Sequence, residues 1–316
     1  MRILVTGGSG FIGSHVVDGY VAQGHEVAVL DDLSRGSLAN LNARAKFYQG
    51  DICDGPLVEK VFAEFRPEVV NHHAAQMDVR RGVREPVFDA TINILGSVHL
   101  LEAAVRRKAR RFIYISTAGA AYGEPTHSPV AEDEPVNPIT PYGVSKHTVE
   151  HYLFTFSHLY GLSYAVLRYG NVYGPRQNSQ GEAGVFAIFS EQMLAGIQPV
   201  IYGDGTKLRD YVYISDVVAA NLAALDRDSG EIFNIASGVA TNDWKVFTTV
   251  RELLGKHAVE PRFVPRRPGE IQQICLDIRK AQRLLEWTPR VSFAEGAQLT
   301  VAYFQQAAEV VAKAAH

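Results

Sequence analysis

The chain has 316 residues, 47% of them hydrophobic, enough to bury a large core and to divide into two domains. Its formal charge of −3 offers no basic field for nucleic acid or an anionic membrane surface. No apolar run reaches spanning length, the N-terminus leads straight into a strand, and Cys53 and Cys275 form neither a disulfide framework nor a metal spacing, so a cytoplasmic protein is expected.

Residues 3–5 are a short apolar run of the kind that makes a fully buried parallel strand. Gly7, Gly8, Gly10 and Gly13 follow, containing both Gly8-x-Gly10-x-x-Gly13 and Gly7-x-x-Gly10-x-x-Gly13. Phe11, Ile12, His15, Val16, Val17 and Tyr20 then keep helical spacing. Strand, glycine turn and helix start gather bare backbone N–H groups and the positive end of a helix in one spot, which suits a pyrophosphate. A second apolar run, 27–30, ends in Asp31, where a carboxylate can accept hydrogen bonds from an adenosine ribose. A dinucleotide site is therefore predicted, with Gly7, Gly10, Phe11, Ile12 and Gly13 at the pyrophosphate. Asp32, Leu33, Ser34, Arg35 and Gly36 read as a polar loop beside the cofactor. Arg35 either pairs an adenosine 2′-phosphate or is solvated. Asp31 would repel such a phosphate, so NAD is favoured over NADP.

Residues 46–49 are a third strand, and Asp51-Ile52 beyond it is placed either for an adenine-edge contact or for a plain turn. A helix at 57–65 and a fourth strand at 68–71 follow, and the strand exits into His72-His73-Ala74-Ala75-Gln76. Neighbours on an extended strand point to opposite faces and no third ligand stands nearby, so no metal site is expected here. His73, Ala74 and Ala75 are instead expected to pack their backbone against a cofactor. One long helix over 86–107 carries an apolar stripe of Ile92, Leu95, Val98, Leu100 and Leu101, with a basic C-terminal end. Asn93 inside it needs a partner, either a structural hydrogen bond or the cofactor.

Residues 112–115 form a fifth strand that opens into Ser116-Thr117-Ala118-Gly119-Ala120-Ala121-Tyr122-Gly123. Strands alternating with helices to this point specify an α/β fold, a Rossmann-like doubly wound parallel sheet with ligands at the carboxyl ends of its strands. After an acidic, proline-punctuated loop, Tyr142-x-x-x-Lys146 opens a helix that runs to about residue 160. Tyr142 and Lys146 share one helical face. A free Tyr titrates at about 10, too high for a base at neutral pH, and a neighbouring ammonium would lower that value. Spacing alone also fits a surface Tyr and a solvated Lys. Ser116 and Thr117 at the preceding strand end favour the chemical reading, since all four can meet at one cofactor edge. The chain closes on an Ala-rich tail, Ala314-Ala315-His316, expected to fray.

Gly7-x-x-Gly10-x-x-Gly13, Ser116-Thr117 and Tyr142-x-x-x-Lys146 together resemble the extended branch of the short-chain dehydrogenase/reductase superfamily. Arg168-Tyr-Gly-Asn171-Val-Tyr-Gly-Pro-Arg176, Arg209-Asp-Tyr-Val-Tyr-Ile-Ser-Asp216 and Arg267-Pro-Gly-Glu270 narrow the likeness to its nucleotide-sugar epimerases, over nearly the whole chain. The resemblance implies an NAD-binding domain of residues 1–169 plus about 210–237. A smaller, interleaved α/β domain of about 170–209 plus 238–316 would hold the nucleotide sugar. It implies Tyr142 as the base, Lys146 as its partner and holder of the nicotinamide ribose, Thr117 or Ser116 as a hydroxyl on the same sugar oxygen, and Tyr169 at the cofactor. Arg209 and Arg267 are implied at the diphosphate or ribose, Asn171 at a phosphate or sugar oxygen, Tyr202 stacked on the base and Glu270 on ribose hydroxyls. Met77, Thr117, Val185 and Ile274 are implied as further substrate contacts. The reaction implied is NAD-dependent inversion at C4 of a UDP-sugar, UDP-glucose and UDP-galactose first, through a 4-keto sugar. The assembly implied is a homodimer through a four-helix interface, to which Val149, Tyr152, Leu153, Phe156 and Leu159 supply apolar bulk.

The chain departs from the best-known epimerases in three places. The slot of their catalytic hydroxyl is Ala118, with Thr117 one step earlier, and Met77 replaces a lysine that contacts the cofactor. Ile274 stands where those enzymes can carry a Tyr against the sugar N-acyl group, which would admit N-acetylhexosamines. Ala118-Gly119 offers no acid after Thr117, unlike the 4,6-dehydratases and the hexuronate decarboxylases. The alternatives within the class are UDP-N-acetylhexosamine and UDP-glucuronate, and Asn171 and Asn178 make the glucuronate the weaker of the two. From another class, a sensor that binds NAD without chemistry would be expected to lose the Tyr or the Lys, and both are present.

Overall fold

The computed structural model describes residues 1–179, 184–227, 230–267 and 270–314. The chain opens with β1 (Arg2–Thr6), α1 (Phe11–Ala22), β2 (Glu26–Asp31), β3 (Lys46–Gln49), α2 (Gly55–Phe65) and β4 (Val69–His72). Each of the four strands expected in this stretch falls on an observed one to within a residue at either end. The second helix starts two residues earlier than its apolar pattern, because Asp54 caps it through the Leu57 N–H and Pro56 fits the first turn.

The helix expected over 86–107 is interrupted. After α3 (Val79–Arg84), α4 (Pro86–Ala90) runs into a π-helical turn, Thr91–Leu95, before α5 (Gly96–Arg106) begins. Asn93 sits in that wider turn, and its amide accepts from the Gln76 N–H and donates to the Gln76 carbonyl, both at 2.9 Å. The turn thus fastens the loop after β4 to the helix. Wider turns of this kind gather at functional sites.

Then come β5 (Arg111–Thr117), the single turn α6 (Ala118–Ala121), α7 (Pro141–Tyr160) and β6 (Ser163–Tyr169). Thr140 caps α7 at its start and Gly161, at φ 69°, ends it. The remainder comprises β7 (Asn171–Tyr173), α8 (Val185–Leu194), β8 (Val200–Tyr202), β9 (Leu208–Tyr213) and α9 (Ile214–Ala223). It closes with β10 (Glu231–Ile235), β11 (Ala240–Asn242), α10 (Asp243–Leu253), β12 (Arg262–Val264) and α11 (Phe293–Ala314). Ala315 and His316, the end of the tail expected to fray, lie outside the described residues, as do Pro268 and Gly269 of the last motif.

Seven strands form one parallel sheet in the order β10-β6-β5-β4-β1-β2-β3. Strand order reverses at β1, which lies between β2 and β4, so the crevice for a ligand opens at its carboxyl end. Both faces are covered. Ile3, Val5, Val29, Ile113 and Leu167 pack on one side, while Leu4, Ala28, Leu30, Val70, Phe112 and Val166 pack on the other. That is why the strands read as unbroken apolar runs. β7, β9 and β11 make a separate three-stranded sheet, and β8 pairs with β12. α9 returns to the main body against α1, where a Cβ on Gly19 would come within 2.5 Å of Val218. Residues 209 and 210, the expected domain boundary, both lie within β9. Among the described residues no helix is long and apolar enough to cross a membrane.

Candidate active site

A cavity of about 720 Å³ lies at the carboxyl ends of the central strands and reaches the three-stranded sheet. At its floor Gly7 has φ +67°, and a Cβ there would sit 2.7 Å from the Ala74 nitrogen. A Cβ on Gly13 would meet the Gly7 carbonyl at 2.2 Å. Only glycine allows strand end, turn and helix start to approach this closely. Gly10 brings no side chain to cap α1, so the first N–H groups of the helix stay available to a ligand. This cradle fits a dinucleotide pyrophosphate.

Asp31 is buried beside it, with Oδ2 accepting from the Ser9 N–H at 2.9 Å and Oδ1 from the Leu33 N–H at 2.8 Å. Burial pushes its carboxyl up, and these two bonds oppose that shift. Leu33 does not line the cavity; its backbone aims Asp31. Asp32, Ser34, Arg35, Gly36, Asp51 and Ile52 do line it. The Arg35 guanidinium lies 3.6 Å from the Asp78 carboxylate, a partner absent from both readings made for it. Asp51 also closes its own turn by accepting from the Cys53 N–H at 2.8 Å, so the two readings offered for it are compatible.

The paired histidines part company as strand alternation requires. His72 is buried between the hydroxyls of Thr6 at 2.7 Å and Ser97 at 2.8 Å. His73, Ala74 and Ala75 line the cavity. Both ring nitrogens of His73 are buried without a partner, and burial, then the Lys146 charge, push it down to about 3, so the ring is neutral. Asn93, expected at the cofactor, is not in the wall. Both ends of its amide are taken by Gln76, which is itself in the wall.

Tyr142, Lys146, Ser116 and Thr117 meet in the cavity. The Lys146 ammonium donates to the Ile115 carbonyl at 2.8 Å and stands 4.7 Å over the Tyr114 ring. Burial brings it down to about 8. Tyr142 does not show the lowered value that its spacing from Lys146 predicts. Burial, then the Asp89 carboxylate, pushes the phenol up. Asp89 is itself buried, accepting from the Ser145 hydroxyl at 2.7 Å and the Gln76 amide at 3.1 Å. A phenolate here needs positive charge beyond what the chain supplies. The two hydroxyls also differ. Ser116 donates to Glu150 at 2.7 Å, away from Tyr142 in the direction of Arg168, whereas Thr117 caps α6 by accepting from the Ala120 N–H at 3.4 Å.

Met77, Tyr169, Asn171, Val185, Arg209, Arg267, Glu270 and Ile274 line the cavity, and Tyr202 does not. Arg267 lies over the Tyr202 ring at 3.7 Å, so Tyr202 backs the wall through the guanidinium. Sequence reasoning missed Lys207, Tyr211 and Asp243, which also line it. Alternation carried outward from Arg209 places 207, 209 and 211 on one face, a signal that would have found the first two. Other acids of the quoted motifs are braces. Asp210 accepts from Ser237, Gly238 and Leu276, and Asp216 from the Arg290 and Val291 N–H groups.

A model described as "NAD dependent epimerase/dehydratase family" matches residues 3–236. UDP-glucose 4-epimerase of Mycolicibacterium smegmatis is 44% identical over 311 residues, covering 96% of this chain and 99% of the relative. Among solved structures, UDP-glucose 4-epimerase of Thermotoga maritima with UDP-glucose aligns with a TM-score of 0.95 at 49% identity, covering 97% of this chain and 99% of that one. The Thermus thermophilus UDP-glucose 4-epimerase complex with NAD aligns at 0.92 and 42% identity, covering 97% and 100%.

Proposed function

Since the chain belongs to the NAD dependent epimerase/dehydratase family, we propose that it is a UDP-glucose 4-epimerase, an enzyme that inverts C4 between UDP-glucose and UDP-galactose with NAD as resident cofactor. The observation that carries this reading is the continuity of one cavity. It runs from the glycine cradle and Asp31, past Tyr142, Lys146 and Thr117, to Arg209, Arg267 and Glu270. A dinucleotide at one end and a nucleotide diphosphate at the other would bring nicotinamide and sugar together at Tyr142.

The cradle, Asp31 and the 32–36 loop would hold the adenosine and pyrophosphate of NAD, with Lys146 at the nicotinamide ribose. Bound NAD supplies a reversible hydride acceptor and a positive ring charge. Tyr142 takes the proton of the C4 hydroxyl as the sugar is oxidised to its 4-keto form, and returns it after the sugar has presented its other face. Lys146 holds its ammonium on the same side of the cavity and favours the phenolate. Thr117 hydrogen-bonds the same oxygen. Arg209 and Arg267 grip the diphosphate, since planar guanidinium forks match phosphate oxygens, and the sugar pivots about that anchor. We assign the cofactor to residues 1–169 with 210–237, the sugar nucleotide to the remaining segments, and the enzyme to galactose metabolism as a homodimer.

The test is to measure NAD carried by the purified protein and to follow UDP-galactose by NMR. Inversion at C4 with one NAD retained per chain is expected. NAD retained with no inversion of any UDP-sugar would leave a binding protein instead.

A further inference from the structure

Lys207 stands one residue before β9 and, with Arg209 and Tyr211, follows strand alternation onto the cavity wall. Its ammonium lies 2.7 Å from Glu270 Oε1 and 3.0 Å from Asp243 Oδ2, with 12% of its side chain exposed. Arg209 approaches the same Glu270 oxygen only to 4.0 Å, and its guanidinium donates to the carbonyls of Leu208 and Ile271. Of these two cations Lys207 is at hydrogen-bonding distance from Glu270, and Arg209 is not.

Two consequences follow from charge and aim. Lys207, Arg209 and Arg267 against Asp243 and Glu270 leave these five side chains one positive charge in excess, where a diphosphate must sit. Removing Lys207 brings the balance to zero and leaves two carboxylates facing each other across the gap, a repulsive arrangement in a poorly solvated wall. Glu270 would then turn away from the cavity. A carboxylate held in place, by contrast, is a fixed acceptor for hydroxyl donors.

Resting on the reading that this cavity takes a nucleotide sugar, we infer that Lys207 is a positioning residue. It holds Glu270 as the acceptor for ribose hydroxyls, and it thereby selects ribonucleoside diphosphate sugars over their 2′-deoxy counterparts. A site built to receive hydroxyl donors discriminates against a ligand that lacks one, because its acceptor is left unmet.

Calorimetry on the NAD-loaded protein with UDP and 2′-deoxy-UDP tests this. Wild type should bind UDP more tightly by about tenfold. Lys207→Met should bring the two ligands within about twofold of each other and raise KM for UDP-glucose far more than it lowers kcat. Lys207→Arg, which keeps the charge, should restore most of the preference. Retention of NAD and an unchanged circular dichroism spectrum would show that the Met variant is folded. A wild-type ratio near one overturns the proposal without any variant, while leaving the epimerase reading intact. A Met variant that keeps the wild-type ratio overturns it too. Failure of wild type to bind UDP at all would instead sink the nucleotide-sugar reading on which the proposal rests.

Discussion

At Tyr142 the chain's own electrostatics oppose the chemistry proposed for it: burial and Asp89 hold the proton on, and Lys146, drawn down to about 8 by its own burial, does not reverse this. The residue is thus a poor base until positive charge is brought beside it, which ties proton transfer to a loaded cofactor site. Tyr142→Phe should retain NAD and lower turnover by at least about a hundredfold. Epimerisation at near wild-type rate in that variant would remove Tyr142 from the mechanism. The neighbouring hydroxyls allow a sharper comparison. Ser116 is engaged with a buried carboxylate, whereas the Thr117 hydroxyl accepts from the Ala120 N–H in the first turn of α6 and faces the cavity. Thr117→Val should cut turnover about tenfold or more, with KM changing less. Ser116→Ala should act on stability, by about 1–3 kcal/mol, and leave turnover close to wild type. The reverse pattern, read by steady-state kinetics and denaturant melts, would give the catalytic hydroxyl to Ser116.

Among the elements, β5 and α7 are held together by one buried cluster. Arg168 on β6 grips Glu150 on α7 at 3.0 and 2.6 Å, Ser116 on β5 adds 2.7 Å, and His147 adds 3.1 Å. Burial alone would push Glu150 up, but hydrogen bonds from Arg168, His147 and Ser116 outweigh it and bring the carboxyl from 4.5 down to about 2. A folded value below the unfolded one adds stability that is present above about pH 4.5 and lost as pH falls toward 2. Glu150→Gln should abolish this acid limb in stability measured against pH. It should also cost about 3–5 kcal/mol at neutral pH, because Arg168 is left buried without its counter-charge. An unchanged acid limb would show that the pair is not the titrating unit.

The elements also mark what the sequence could disclose. Strands buried on both faces, the glycine cradle and the capped helices are written in local residue types, and their positions are legible to within a residue or two. The π-helical turn is not, because one extra residue in a helical turn changes hydrogen-bond register without changing composition. The raised value of Tyr142 and the partners of Arg35 and Asn93 are equally illegible. Each depends on burial or on a group distant in the chain. Lys207 lies between these extremes, since alternation finds its face but only the fold brings it to Glu270.

For the whole molecule, the outer surface of α7 revises the ground for a dimer. Val149 and Leu153, counted in advance toward an outer apolar face, are fully buried in the protein's own core. Phe156 packs partly against that core too. Tyr152 and Leu159 do face outward, at 38% and 61% exposure, and Val144 joins them at 48% on the same helical stripe. Leu95, exposed at 54%, adds a further apolar side chain from the neighbouring π-helical turn. Such side chains on two adjacent helices favour pairing with the same surface of a second copy, the self-complementary arrangement of a two-fold axis. Light scattering at micromolar concentration should give twice the chain mass, and Leu159→Glu should return the mass to one chain without loss of bound NAD. In a two-fold contact the new carboxylate appears on both copies, so the cost of burying charge adds to the lost apolar burial. A wild-type mass of one chain would remove the dimer. A dimer that survives Leu159→Glu would move the contact away from this stripe, while leaving the cavity and its chemistry where they are.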